Sequence, residues 1–197
     1  IAPAATDDGE VVVNGWSPSK RNGEYANSGW VTEIGEVEWK DYKKHGPLAG
    51  LEFQKAIEQK AYEMGGGEFK VPAQNLVDLL ANKKSQVLND TSYHPGMKSV
   101  NLNELYPEEI AYRLREGLRD MTKKLKGFDH EKAMVTAPES RTSAPVRIPR
   151  TKDLHHTELT NLYPCGEGAG FAGGIISAAL DGVRVVKAIA INVKDVI

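Results

Sequence analysis

The sequence predicts a mixed α/β chain of the α+β kind, built from short strands and amphipathic helices. Three observations predict it. Apolar residues recur every three or four positions in several separate segments, as on helices with one buried face. Short β-branched or extended runs lie between those segments. Near the end, an extended run, a glycine-rich loop and a long helical pattern follow one another directly. At 197 residues the chain can bury one good core or two small ones.

Glu10-Val11-Val12-Val13-Asn14-Gly15 reads as a strand entering a tight turn at Asn-Gly. Trp16 to Ser28 is polar and turn-rich, hence a loop, and Gly29 to Ile34 reads as a second strand. Leu51 to Met64 is predicted helical, with Phe53, Ile57, Ala61 and Met64 on one stripe and Glu52, Lys55, Glu58 and Glu63 off it. Gly65-Gly66-Gly67 ends that helix, because glycine tolerates the left-handed cap. Pro72 then opens a short helix through Leu76, Val77, Leu79 and Leu80. Pro107 starts the clearest helix, with Ile110, Leu114, Leu118, Met121 and Leu125 in line. Its first turn carries Glu108 and Glu109, its last Lys123, Lys124 and Lys126, as the helix dipole favours, and Gly127 stops it. Ala133 to Ala137, Ala144 to Ile148 and Leu162 to Cys165 read as extended. The last helix runs from Gly173 to about Ile191, with Ile176, Leu180, Val183, Val186 and Ala190 on one side and Asp181, Arg184 and Lys187 on another.

The 25 basic and 27 acidic residues nearly cancel, which argues against nucleic acid or an anionic membrane as partner. A single cysteine, Cys165, excludes an intrachain disulfide and fits a reducing, cytoplasmic setting. No apolar run approaches the ~20 residues of a membrane helix. Nothing resembles a signal peptide, and the abrupt opening at Ile1 points to a piece of a longer protein. Asn89-Asp90-Thr91 is a formal glycosylation sequon that matters only in a secreted protein.

The chemistry concentrates in Leu162-Tyr163-Pro164-Cys165-Gly166-Glu167-Gly168-Ala169-Gly170-Phe171-Ala172-Gly173-Gly174-Ile175. Five glycines within nine residues remove side chains where the backbone approaches something. The following helix directs free N–H groups and a partial positive charge toward the loop. No Lys-Ser or Lys-Thr follows, so the loop is not a Walker A motif, and no acidic residue completes a dinucleotide fingerprint. Glu167 would repel a phosphate but accepts hydrogen bonds well from sugar-like hydroxyls. Two readings stay open on these residues alone: a cradle for a polyol or ribityl chain, or a tight turn in which Glu167 caps the helix.

The same stretch, extended through Ile176-Ser177-Ala178-Ala179-Leu180-Asp181-Gly182, resembles the C-terminal signature of a bacterial family of FAD-dependent dehydrogenases. Three further blocks match in the same order: Val13-Asn14-Gly15-Trp16-Ser17-Pro18-Ser19-Lys20-Arg21-Asn22 with Ala26-Asn27-Ser28-Gly29, then Pro47-Leu48-Ala49-Gly50-Leu51-Glu52-Phe53-Gln54, and Glu139-Ser140-Arg141-Thr142-Ser143-Ala144-Pro145-Val146-Arg147-Ile148. The resemblance implies a glutathione-reductase-like flavoprotein fold with a discontinuous, Rossmann-like FAD domain. Residues 1–130 would be the inserted substrate domain and 131–197 the segment returning to the flavin. FAD would meet Gly166, Glu167, Gly168, Gly173, Gly174 and Ile175, with the Glu167 carboxylate on the ribityl chain. The early G-x-G-x-x-G unit of the family is absent, so most of the FAD site is expected in an N-terminal part of the same protein that lies outside these residues.

Arg141, Ser143 and Arg147 alternate along one extended stretch, and two guanidiniums on one face suit a substrate carboxylate or phosphate. Exposed salt-bridging is the bland alternative. Arg21, Asn27 and Ser28 are further substrate-facing candidates, against ordinary turn residues. His155-His156 are adjacent, point apart and lack a third ligand, so no metal is expected. Cys165 reads as a small strand residue. No catalytic acid or base can be named. The expected function is a fragment of an FAD-dependent oxidoreductase that completes a hydride-transfer site, with a small-molecule substrate, NAD(P)H as a second substrate and a homodimer as an available assembly. The alternative is a stand-alone ligand-binding or scaffold module using the same loop.

Overall fold

A computed structural model describes residues 1–4 and 6–194. The chain forms two compact units, Ile1–Asp41 with Phe53–Ser140, and Tyr42–Glu52 with Arg141–Ile197. Its architecture is mixed α and β, as the patterning predicts. The division after Asp41 and Glu52 and at Ser140 differs from the 130/131 boundary read from sequence.

In the first unit, β1 (Ala2–Pro3) pairs antiparallel with β2 (Val13–Asn14). The strand expected over Glu10–Gly15 is thus only two residues long. Val11 and Val12 are nevertheless core residues. The Val11 N–H donates to the Glu58 carbonyl and the Val13 N–H to that of Pro138, so neighbouring segments satisfy the run outside any ladder.

Helix α1 spans Ala49–Gly65 and buries Phe53, Ile57 and Ala61, the stripe that its periodicity predicts. Glu58, expected off that stripe, is buried instead, and its carboxylate accepts from the Gln54 amide (2.9 Å) and the Ser140 hydroxyl (2.5 Å). The glycine triplet is the stop. Gly66 and Gly67 have φ of 97° and 86°, and both N–H groups donate to the Tyr62 carbonyl.

Pro72 does not open a helix. It lies in β3 (Val71–Asn75), and α2 (Leu76–Leu80) follows. β3 is the middle strand of a sheet ordered β4–β3–β5, parallel to β4 (Met97–Ser99) and antiparallel to β5 (Met134–Thr136). A proline is tolerated there for a local reason. Its carbonyl accepts from the Ala137 N–H, so its nitrogen also faces the β5 side, one residue past the end of that strand. Gln74, fully buried, ties the sheet to the loops around it: its amide donates to the Lys83 carbonyl (2.7 Å) and accepts from the Leu102 N–H (2.8 Å).

Helix α3 (Glu108–Lys124) follows Pro107 and buries Ile110, Ala111 and Leu118. It also explains why Gly29–Ile34, expected as a strand, is irregular. That segment docks on α3 through side chains. The Trp30 indole donates to the Leu114 carbonyl (3.2 Å), and Arg113 donates to the Glu33 carbonyl (3.1 Å) and the Glu38 carboxylate (2.7 Å). The Trp30 ring rests on Gly117, where an added Cβ would lie 2.8 Å from the indole Cζ2.

In the second unit, Ala144–Ile148 and Leu162–Cys165 are irregular, not strands, and the local pairing is one isolated bridge between Arg150 and His156. Pro145, Pro149 and Pro164 remove donors that a ladder would need. Helix α4 covers Ile175–Lys194.

In an unobstructed helix, Gly117→Ala would stabilise by about 1 kcal/mol. Here the methyl must displace Trp30. Gly117→Ala is therefore expected to lower the unfolding free energy in a denaturant titration and to shift the tryptophan emission. A stabilised variant with unchanged emission would contradict this packing.

Candidate functional site: the glycine-rich loop and helix α4

The loop preceding α4 is fixed from below by a buried ion pair. Asp181, on the second turn of α4, is 4% exposed and meets Arg150 through two parallel bonds of 2.8 Å. The same guanidinium donates to the Pro164 carbonyl (2.9 Å), and the Gly166 N–H donates to Asp181 (2.9 Å). Arg150 also lies 3.7 Å above the centre of the Phe171 ring, and Arg147 lies 4.5 Å from it. One bidentate pair thus holds the loop's entry, its first glycine and its aromatic residue.

The loop then closes on itself. The Phe171 N–H donates to the Gly166 carbonyl (3.0 Å) and the Gly170 N–H to that of Glu167 (2.8 Å). Gly170 is required twice over: its φ is 81°, and a Cβ would fall 2.7 Å from the Val146 carbonyl oxygen. The Ile148 N–H donates to the Ala169 carbonyl (3.2 Å), fastening the 146–150 segment alongside.

Above this anchorage the surface is open. Gly168, Gly173 and Gly174 are exposed, and Ile175 is 90% exposed. Glu167 is half-buried, and its carboxylate has no hydrogen bond or ion pair among the described residues. The Gly174 N–H donates to the Ser177 hydroxyl (3.1 Å), which caps the helix; Glu167 does not. Gly166, buried, contributes conformation, since its amide is already committed to Asp181.

Helix α4 departs from the expected polarity, although Arg184 and Lys187 are exposed as expected. Asp181, read as part of a polar side with Arg184 and Lys187, is buried together with Val185. The apolar stripe faces outward: Ile176 is 72% exposed, and Leu180, Val183, Val186 and Ala190 are exposed as well.

The proposed substrate contacts fall in both units. In the second, Ser143 approaches Gly173, with its hydroxyl 3.7 Å from where a Cβ would stand. Arg147 is stacked on Phe171, and Arg141 is exposed. The bends over residues 142–145 replace the alternating strand on which their shared face was argued. In the first unit, Arg21 is exposed with a φ of 48°, and the Asn27 amide donates to the Trp16 carbonyl (3.1 Å). Asn27 and Ser28 line a cavity there. Cys165 is exposed in irregular backbone instead of lying in a strand. The His155 ring contacts the His156 carbonyl through Nδ1 (2.7 Å), and among the described residues no three His, Cys, Asp or Glu side chains form a metal-binding group. No helix is long and apolar enough to cross a membrane among those residues.

Arg150 was not foreseen. Its partner is 31 positions away and on no shared period, so the sequence carried no local signal for it. Arg150 holds the Asp181 carboxyl down at a pKa of about 2, with the Gly166 N–H assisting and burial opposing. A depressed acid stabilises the fold above its unfolded pKa and loses that contribution as pH falls through the folded value. About 2 kcal/mol is therefore expected to disappear between roughly pH 4 and pH 2. Asp181→Asn should remove that acid dependence and cost about 3 kcal/mol at neutral pH. Parallel acid titrations of the two proteins check this; identical curves would contradict the pair's role.

Residues 1–142 match the family described as FAD-dependent protein, C-terminal domain-like. The match ends close to the division of the units at Ser140. An uncharacterized protein of Clostridium beijerinckii (strain ATCC 51743 / NCIMB 8052) is 41% identical over 189 residues, which cover 95% of this chain and 35% of that relative. The chain thus spans about a third of the length of the curated relative it matches. With a family match over most of its length, this chain belongs to the FAD-dependent protein, C-terminal domain-like family.

Proposed function

We propose that the chain is the substrate-domain and flavin-return portion of a longer FAD-dependent oxidoreductase. The carrying observation is the combination at α4: an open, preorganised glycine-rich loop with an unpartnered carboxylate, on a helix whose apolar face has nothing packed against it among the described residues. A helix normally buries that face. A relative is roughly three times as long, and a parent protein of that length would have chain to cover it. A stand-alone binding module would have no reason to leave Ile175, Ile176 and Leu180 in water.

The residues present fit part of the cofactor. Glu167 would accept hydrogen bonds from the ribityl hydroxyls. Gly168, Gly173 and Gly174 leave room for the ring system to approach the backbone. The first-turn amides of Ile175 and Ile176 point at a position where negative charge is stabilised. Arg147, stacked on Phe171, would meet an anionic group of cofactor or substrate. When bound in the full-length protein, FAD supplies hydride acceptance or donation. NAD(P)H as the second substrate and a Rossmann-like frame around the return segment belong to this reading, and the first unit would be the substrate domain.

This chain is expected to purify colourless and the full-length protein yellow. In the full-length protein, Glu167→Ala should raise the FAD dissociation constant about tenfold or more, since a hydrogen bond to a charged group contributes roughly 1.5–3 kcal/mol. Flavin fluorescence on dilution measures it. Unaltered retention would remove Glu167 from the cofactor's contacts.

A further inference from the structure

The first unit encloses a cavity of about 540 Å³, independent of the glycine-rich loop. That is within the roughly 300–1,000 Å³ of small-molecule sites. Its walls come from different elements: Leu76 and Leu79 of α2, Leu102 of the turn before α3, Leu114 and Leu118 of α3, and Trp30 from the loop docked on that helix. Trp30 is held by its bond to the Leu114 carbonyl and its rest on Gly117, so that wall is preorganised.

The cavity's side-chain charges cancel. Arg115 and Lys132 are matched by Asp90 and Glu139, and Arg115 is already bonded to the Asn103 side chain (2.8 Å). Tyr106 is different. Its ring lines the space, and its hydroxyl has no hydrogen-bond partner among the described residues. Burial pushes its ionisation well above the ordinary phenol value, so it stands as a neutral donor and acceptor. Tyr106 is half-buried, and a ligand entering the cavity would give its hydroxyl a partner.

We infer that this cavity binds an uncharged, largely apolar, ring-bearing small molecule whose polar group hydrogen-bonds the Tyr106 hydroxyl. Leucine side chains supply contact area, the Trp30 indole a face for stacking, and Tyr106 the orientation. The inference does not require the flavin assignment, because the cavity lies wholly within the first unit.

The test uses 2-naphthol as probe, with naphthalene and naphthalene-2-sulfonate as comparators. The host is the 197-residue chain carrying Trp16→Phe and Trp39→Phe, so that Trp30 alone reports by fluorescence. Saturable quenching by 2-naphthol is expected, with naphthalene about fivefold weaker and the sulfonate at least tenfold weaker. Tyr106→Phe should weaken 2-naphthol about fivefold and leave naphthalene unchanged, and its melting temperature is read alongside. Absence of saturable quenching, or equal binding of the sulfonate, overturns the proposal. So does equal affinity for naphthol and naphthalene, which would mean that water already satisfies Tyr106. If Tyr106→Phe does not fold, the three-probe comparison on the parent decides.

Discussion

The buried pairing of Arg150 with Asp181 is the constraint from which the second unit's geometry follows. A guanidinium and a carboxylate removed from water are costly to bury, and the cost is offset only when every remaining donor and acceptor finds a partner. Here they do. The carboxylate takes the Gly166 amide, and the guanidinium takes the Pro164 carbonyl and stacks on Phe171. Each of these partners belongs to the glycine-rich loop. Satisfying the pair therefore sets the loop's conformation before any ligand arrives, and a preorganised loop spends no binding energy on ordering.

The same pair accounts for the orientation of α4. An acid is the central buried residue of its packed face, with Val185 one turn on and Gly182 beside it. The isoleucines, leucine and valines of the opposite stripe are turned out. Packing on this side is polar and specific; the apolar area on the other side is free for association. Such an inversion is costly for a lone soluble domain and ordinary for a segment whose partner is the rest of its own protein. The proposed reading is compatible with a Clostridium beijerinckii relative of which this chain spans about a third.

Local chemistry was legible in the sequence, and non-local chemistry was not. The helices α1 and α3 were readable because their periodic runs are long and their boundary signals, the glycine triplet after α1 and Pro107 before α3, act within one turn. The loop was readable because its glycines lie close together in the chain. Short strands were misread where one residue dominated the argument. Pro72 looked like a helix start, yet it sits in a middle strand because the neighbouring ladder has ended. Gly29–Ile34 had strand composition but finds a helix to dock on, with Trp30 and Arg113 replacing ladder bonds. Glu58 and Asp181 looked like solvent-facing acids because their partners, Ser140 and Arg150, stand 82 and 31 positions away. Periodicity assigns a face to a helix; it does not say whether the charged or the apolar face meets the fold.

In the proposed reading, α4 and its loop are preformed on one side and completed on the other by the remainder of a flavoprotein. Amide hydrogen exchange over residues 166–186, compared between the 197-residue chain and the full-length protein, tests it most directly. Slow exchange is expected at Gly166 in both, with a rise in protection of about one order of magnitude or more across Ile176–Val186 in the longer protein. Equal exchange along α4 in the two proteins would contradict it.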